Sequence, residues 1–165
     1  MARIRKTAVA VSAAALLGAG MLAAGTPASA APTGQTDVWY TFQNVASDLN
    51  LDAFGNGNVL SWTADSSGTQ DFYLRDGSLP GYQLESKYYP GRCATAKGAD
   101  KQITLEMCNS NVQAQYFDYD LKDSGSTFAS RKFRNNCITD EGDRNSAILR
   151  HCTWADNQVY LALAY

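Results

Sequence analysis

The chain has one histidine, four prolines and, after residue 30, no apolar run long enough to cross a bilayer. Each scarcity excludes something. A lone His151 cannot build the multi-histidine sites that hold catalytic zinc. It would also have to serve any Ser–His–Asp arrangement by itself, and it lies beside Cys152 in a run that reads as a strand, so we take it as structural. Positive charge is short too. The chain carries 14 Lys and Arg against 16 Asp and Glu, and Arg3, Arg5 and Lys6 account for three of the 14, which leaves 11 against 16, a net of −5, beyond residue 30. That balance argues against a nucleic-acid partner, whose binding rests on neutralising phosphates, and against a polybasic membrane surface. There is no Gly-rich phosphate loop. The carboxylates are spread over turn-like segments, whereas a glycosidase needs two facing each other across a cleft. We therefore expect neither an enzyme nor a cofactor.

What is present begins with a leader. A basic start, an uncharged Ala/Leu/Val/Gly run over 8–24 and the small-residue exit Ala28-Ser29-Ala30 have the three parts of a secretory signal peptide. We expect residues 1–30 to be removed, residues 31–165 to form one domain, and the product to be extracellular; the Ala-rich leader suggests a bacterial exporter. No membrane insertion is expected. Export places the cysteines in an oxidising compartment, where an even count reads as disulfides.

The four cysteines form two pairs of one spacing. Cys93 and Cys108 are 15 apart, as are Cys137 and Cys152, and the pairs are offset by 44. A period of this size marks a repeat, so each unit closes its own loop: Cys93–Cys108 and Cys137–Cys152. A loop of that length contributes about 3 kcal/mol in the chain-entropy model. A zinc site is the rival reading, but C-x₁₄-C is not metal spacing. Stepping back by 44 gives Leu49 and Ala64 in place of a bridge. The same step aligns Tyr40, Leu84 and Phe128; Val45, Tyr89 and Phe133; Val59, Ile103 and Ala147; and Phe72, Tyr116 and Tyr160. Turn residues recur between these columns, as in Gly55-Asn56-Gly57-Asn58, Gly98-Ala99-Asp100-Lys101 and Gly142-Asp143-Arg144-Asn145. The runs after them alternate with period 2, which predicts short hairpin strands. Three units near 37–80, 81–124 and 125–165, each too small to bury its own apolar face, close best into an all-β, three-fold β-trefoil; a sandwich would not produce a three-fold lattice.

Each unit ends in a Gln before an aromatic. Gln70-Asp71-Phe72 and Gln158-Val159-Tyr160 lie on the lattice, while the middle unit gives Ala114-Gln115-Tyr116 or, with one inserted residue, Gln115-Tyr116-Phe117. With the C-x₁₄-C loops, this resembles the ricin B-type lectin family, as a divergent member without tryptophan in the motif. The resemblance implies a β-trefoil whose sugar sites use an Asp two residues after the first Cys, a stacking aromatic two residues before the second, and a polar pair ahead of the motif aromatic. On the lattice the Asp positions hold Leu51, Thr95 and Thr139, with Asp52 and Asp140 one residue later. The aromatic positions hold Trp62, Glu106 and Arg150, so only Trp62 fits, and it is expected to face outward. Asn157-Gln158 is the clean polar pair; Thr69-Gln70 is partial.

The candidate sugar residues are thus Trp62, Asp52 and Gln70 in the first unit and Asp140, Asn157 and Gln158 in the third; Trp154 either rims the latter or caps the barrel. The expected function is a secreted, carbohydrate-binding module with degenerate sites, its partner a glycan or cell-surface polysaccharide. A protein–protein adaptor within a larger secreted assembly is the alternative. A trefoil-type protease inhibitor with Arg92, Lys101 or Arg131-Lys132 as bait is the third. Asp140-Glu141-Gly142-Asp143 could bind calcium weakly, but a hairpin turn accounts for it.

Overall fold

Period-2 alternation in segments of four to six residues, punctuated by turn formers, gives strands too short to stand alone. The computed structural model describes residues 38–164, so the proposed leader lies outside the described residues. The strands are β1 (Trp39–Asn44), β2 (Asn50–Ala53), β3 (Val59–Trp62), β4 (Asp71–Asp76), β5 (Tyr82–Ser86), β6 (Arg92–Ala96), β7 (Ile103–Met107), β8 (Phe117–Asp118), β9 (Ala129–Ser130), β10 (Asn136–Thr139), β11 (Ile148–His151) and β12 (Tyr160–Ala164). Single 3₁₀ turns at Gln113–Gln115 and Asp156–Gln158 precede β8 and β12.

The pairing order defines the architecture. β1 pairs with β12 and β4, β4 with β5, β5 with β8, and β8 with β9, while a bridge between Ser126 and Tyr160 closes the ring. The hairpins β2–β3, β6–β7 and β10–β11 cover one end. They are stitched together by Asn58↔Thr104, Gln102↔Ile148 and Leu60↔Ser146, three bridges that repeat around the axis. This is the expected β-trefoil, and closure leaves the barrel without a free edge. Cys93–Cys108 and Cys137–Cys152 are both bonded, with Cα–Cα distances of 4.9 and 5.0 Å.

One residue per unit meets at the barrel axis. Phe42, Leu84 and Phe128 are buried there, beneath a second layer of Phe72, Phe117 and Tyr160. Phe128 is the hub, edge-on to Phe42 at 4.9 Å and stacked on Tyr119 at 4.2 Å. These layers correct the lattice. Gln43↔Asn50, Glu85↔Cys93 and Ala129↔Cys137 are equivalent pairs, as are Asn50↔Trp62, Cys93↔Glu106 and Cys137↔Arg150. The first unit is therefore one residue shorter between β1 and β2 and one shorter again in the β2–β3 turn. Its offset from the second unit is 42 at β1, 43 at β2 and 44 at β3. Phe42, not Tyr40, joins Leu84 and Phe128, and Val45 is 38% exposed, out of line with Tyr89 and Phe133, which pack on the core. Asn50, not Leu49, faces Ala64 where the other units carry a bridge. The middle unit has one extra residue before its motif, so Gln115-Tyr116-Phe117 is the matching triplet. Turns on the surface absorb such length changes; axial core positions cannot.

Candidate functional site

The three glutamines show the corrected register most directly. Gln70 Nε2 donates to the Thr63 carbonyl at 2.9 Å, and its Oε1 accepts the Asp65 amide at 3.2 Å. Gln115 does the same with the Met107 carbonyl and the Asn109 amide, and Gln158 with the His151 carbonyl and the Thr153 amide. All three are buried. Each ties the loop after its cap hairpin to the strand that follows. Their second Nε2 partners are Asp52 Oδ2 (3.3 Å), Thr95 Oγ1 (3.1 Å) and Thr139 Oγ1 (3.0 Å).

Asp52 therefore occupies the position of Thr95 and Thr139. On the gapless lattice that place in the first unit falls to Leu51, and the expectation that no unit carries the carboxylate there is overturned. No bulge is needed. The shorter β1–β2 connection moves the register by one, and Leu51 points into the core. Asp52 lies on the face of β2 opposite Leu51, only 3% exposed, with Trp62 its diagonal neighbour across the Asn50↔Trp62 and Asp52↔Leu60 pairs. Thr69 Oγ1 donates to Asp52 Oδ2 at 2.8 Å. Both bonds to the carboxylate end on Oδ2; among the described residues Oδ1 receives none. Burial pushes the Asp52 carboxyl above its ordinary range, the bonds from Thr69 and Gln70 pull it down, and the nearby Asp65 adds to the rise. Asn50, standing where a half-cystine would be, donates to Gln70 Oε1 at 2.7 Å.

Trp62 is on the outward face, as expected, yet only half exposed. Phe54 lies against its ring with centroids 5.7 Å apart and planes 22° from parallel, and the Arg144 guanidinium sits 5.2 Å from its centroid. The Arg144 side chain is 74% exposed and reaches Asp143 only at 3.6 Å. The first unit thus brings Asp52, Trp62, Thr69 and Gln70 together on one hairpin and its return loop. Phe54, Arg144 and Asn50 are additions that spacing did not reveal.

The third unit is arranged differently. Asp140 is buried, its Oδ1 accepting the Gly142 amide at 2.9 Å and its own amide donating to the Asn157 carbonyl at 2.9 Å, the geometry of a turn. Gln158 anchors its loop as above. At the aromatic position Arg150 makes a two-pronged pair with Glu141 (2.7 and 3.3 Å) and reaches Asp100 at 2.9 Å. Those carboxylates hold its guanidinium proton more tightly than usual. In the middle unit Glu106 pairs with Lys97. Among the described residues one grouping could be taken for a metal site, Glu85 with Cys93 and Cys108, but the two sulfurs are bonded to each other. Of the suggested bait residues, Arg92 starts β6, Lys101 is held in the β6–β7 turn by bonds at both its amide and its carbonyl, and Arg131 is paired with Asp118 at 2.7 Å.

A closed three-fold barrel with a polar hairpin site on its rim defines a β-trefoil binding module. The chain belongs to the ricin-type beta-trefoil lectin domain family, whose model matches residues 38–160. The domain of that family is a carbohydrate-binding module and is generally non-catalytic. Among solved structures, the designed three-fold symmetric protein ThreeFoil superposes with a TM-score of 0.64 at 19% identity, covering 76% of this chain and 97% of its own. The C-half of an earthworm R-type lectin, in complex with GalNAc, gives 0.62 at 15% identity over 78% of this chain and 99% of its own. A mosquitocidal holotoxin gives 0.68 at 18% identity over 77% of this chain but only 16% of the toxin. At these identities the likeness is one of fold. Comparison with curated proteins gives no match.

Proposed function

We propose that this protein is an exported, non-enzymatic lectin-like module with one family-type sugar site, in the first unit. The observation that carries the reading is the register of β2, which puts Asp52 beside Trp62, Thr69 and Gln70 with its Oδ1 left over. That oxygen accepts bonds from adjacent sugar hydroxyls, while Gln70 and Thr69 hold Oδ2 and so fix the carboxylate plane. Charge-assisted bonds of this kind are roughly twice as strong as neutral ones. The Trp62 ring offers its face to the C–H side of a pyranose, with Phe54 setting its plane and Arg144 moving aside or bonding to a hydroxyl. The other units hold Thr95 with Glu106 and Thr139 with Arg150, which lack both partners. The ligand class is a galactose-type neutral glycan on a cell surface or polysaccharide. Titration calorimetry with galactose and N-acetylgalactosamine should give one site per chain. Asp52→Asn and Trp62→Ala should each weaken binding at least about tenfold, the size of one lost charge-assisted bond or stacking contact. Three equivalent sites, or binding indifferent to both changes, would sink the reading.

The adaptor role is a second reading, favoured by one surface: Leu121 and Leu163, 51% and 45% exposed, line a hollow with Tyr40 and Leu161. Gel filtration of the culture fluid should then show the chain eluting with a larger protein; elution alone at the monomer position counts against it.

A further inference from the structure

A cavity of about 440 Å³ lies where the second and third units meet, away from the Asp52 hairpin. Its walls come from the turn before β8, the β9–β10 connection and the loop after β11, and they carry Gln113, Arg131, Arg134, His151 and Trp154. The volume is within the range of small-ligand sites. Three features there look built for a ligand.

The first is Trp154. It is 68% exposed and held in the left-handed region at φ 61°, which bulky side chains avoid. Its counterparts in the other units, Ser66 and Ser110, are not left-handed, so the trefoil does not require this conformation. The Trp154 amide donates to Gln158 Oε1 at 3.3 Å, which locks the backbone that turns the indole outward. The second is Arg134, exposed, with no ion pair or side-chain hydrogen bond of its guanidinium among the described residues. The third is Arg131. Its buried Nε lies 2.7 Å from Asp118 Oδ1 while the side chain is 38% exposed, and its Nη groups make no hydrogen bond among the described residues, so those donors remain. With Asp118 set against Arg131, Arg134 leaves the cavity positive on a chain with an acidic surplus, and His151 adds a polar edge.

We infer that this cavity is a second saccharide site, specific for a sugar bearing a carboxylate or sulfate, with Trp154 stacking on the ring and Arg134 pairing with the anionic group. Arginine suits either anion, because its planar donors match two oxygens at once. Gln113 and Asn135 are placed on the same walls for hydroxyls. The site uses none of the residues of the Asp52 site; it rests on the carbohydrate-binding reading of the family but not on the first unit being active.

The test is titration calorimetry of the disulfide-intact chain with three tetrasaccharides: tetragalacturonate, a sulfated galactotetraose and neutral galactotetraose. At least one acidic ligand should bind more tightly than the neutral one, and which it is identifies the anion. That binding should survive the double change Asp52→Asn, Trp62→Ala. It should fall about tenfold or more in Arg134→Ala and in Trp154→Ala, both exposed positions whose replacement leaves the core intact, and should weaken with added salt. Neutral and acidic ligands binding alike, no acidic ligand binding, acidic binding untouched by both third-unit changes, or its loss in the Asp52/Trp62 variant would each overturn the inference. In the last case, a neutral ligand that is likewise lost still supports the first-unit site.

Discussion

Asp52 shows what a single side chain contributes when burial and function pull in opposite directions. Its carboxyl titrates above the ordinary 3.8 in the folded chain, chiefly through desolvation. A folded-state value above the unfolded one means the native chain holds this proton more tightly. The associated stability is complete below the ordinary value and is lost as pH rises through the folded-state value. Ionised Asp52 therefore weakens the fold at neutral pH, where it is needed as an acceptor. Asp52→Asn should melt no lower than the parent at pH 7, and its advantage should shrink as the pH falls toward about 4; melting curves across that range check it. A variant that melts lower at neutral pH than the parent would show that the bonds from Thr69 and Gln70 outweigh burial. Gln70→Ala behaves oppositely. It removes the buried bond from Asn50 and the part-buried bonds to the Thr63 carbonyl and from the Asp65 amide, so a loss of about 1–3 kcal/mol is expected in chemical denaturation.

At the scale of elements, the cap hairpins carry both the bridges and the sites. The first hairpin has a hydrogen bond from Asn50 to Gln70 where the others have a disulfide. The corrected register makes a sharp forecast. Asn50→Cys with Ala64→Cys should close a third bridge, detectable as a two-dalton loss by mass spectrometry without reductant and worth up to about 3 kcal/mol by loop entropy. Leu49→Cys with Ala64→Cys should leave free thiols. The reverse outcome would restore the gapless lattice and remove Asp52 from its place diagonal to Trp62. A hairpin's register is set by its pairing, and a shift of one turns every side chain to the other face, which is why one missing residue decides whether the first unit has a carboxylate at its rim.

For the whole molecule, three units that cannot bury an apolar face alone share one axis. Phe128 touches Phe42, Phe117, Tyr119 and Tyr160 there. Phe128→Ala should cost about 3–5 kcal/mol and lower the unfolding midpoint in one cooperative step, with all three units lost together. A biphasic transition would mean that the units fold separately, contrary to a shared core. Pseudo-symmetry does not extend to the surface. The axial layers repeat, while the rim differs in each unit: Asp52 and Trp62, then Glu106 and Lys97, then Arg150, Glu141 and Trp154.

The cysteine spacing, the alternating runs and the three Gln-aromatic endings were enough to read the β-trefoil, both bridges and the family from the chain alone. These features are local or periodic, and closing three identical units around an axis has few solutions. Sequence reading also picked out Trp62, Asp52 and Gln70, but it set Asp52 one place out of register. A ruler laid without gaps cannot see that two turns of the first unit are each a residue short, because turns carry no buried contacts to hold their length. Only the folded chain decided which residues come together: Asp52 with Gln70, Asn50 with Gln70, Phe42 with Phe128, and Trp154 with Arg134 on the third unit's walls of one cavity. Such pairs are separated along the chain, and the closed barrel alone brings them together.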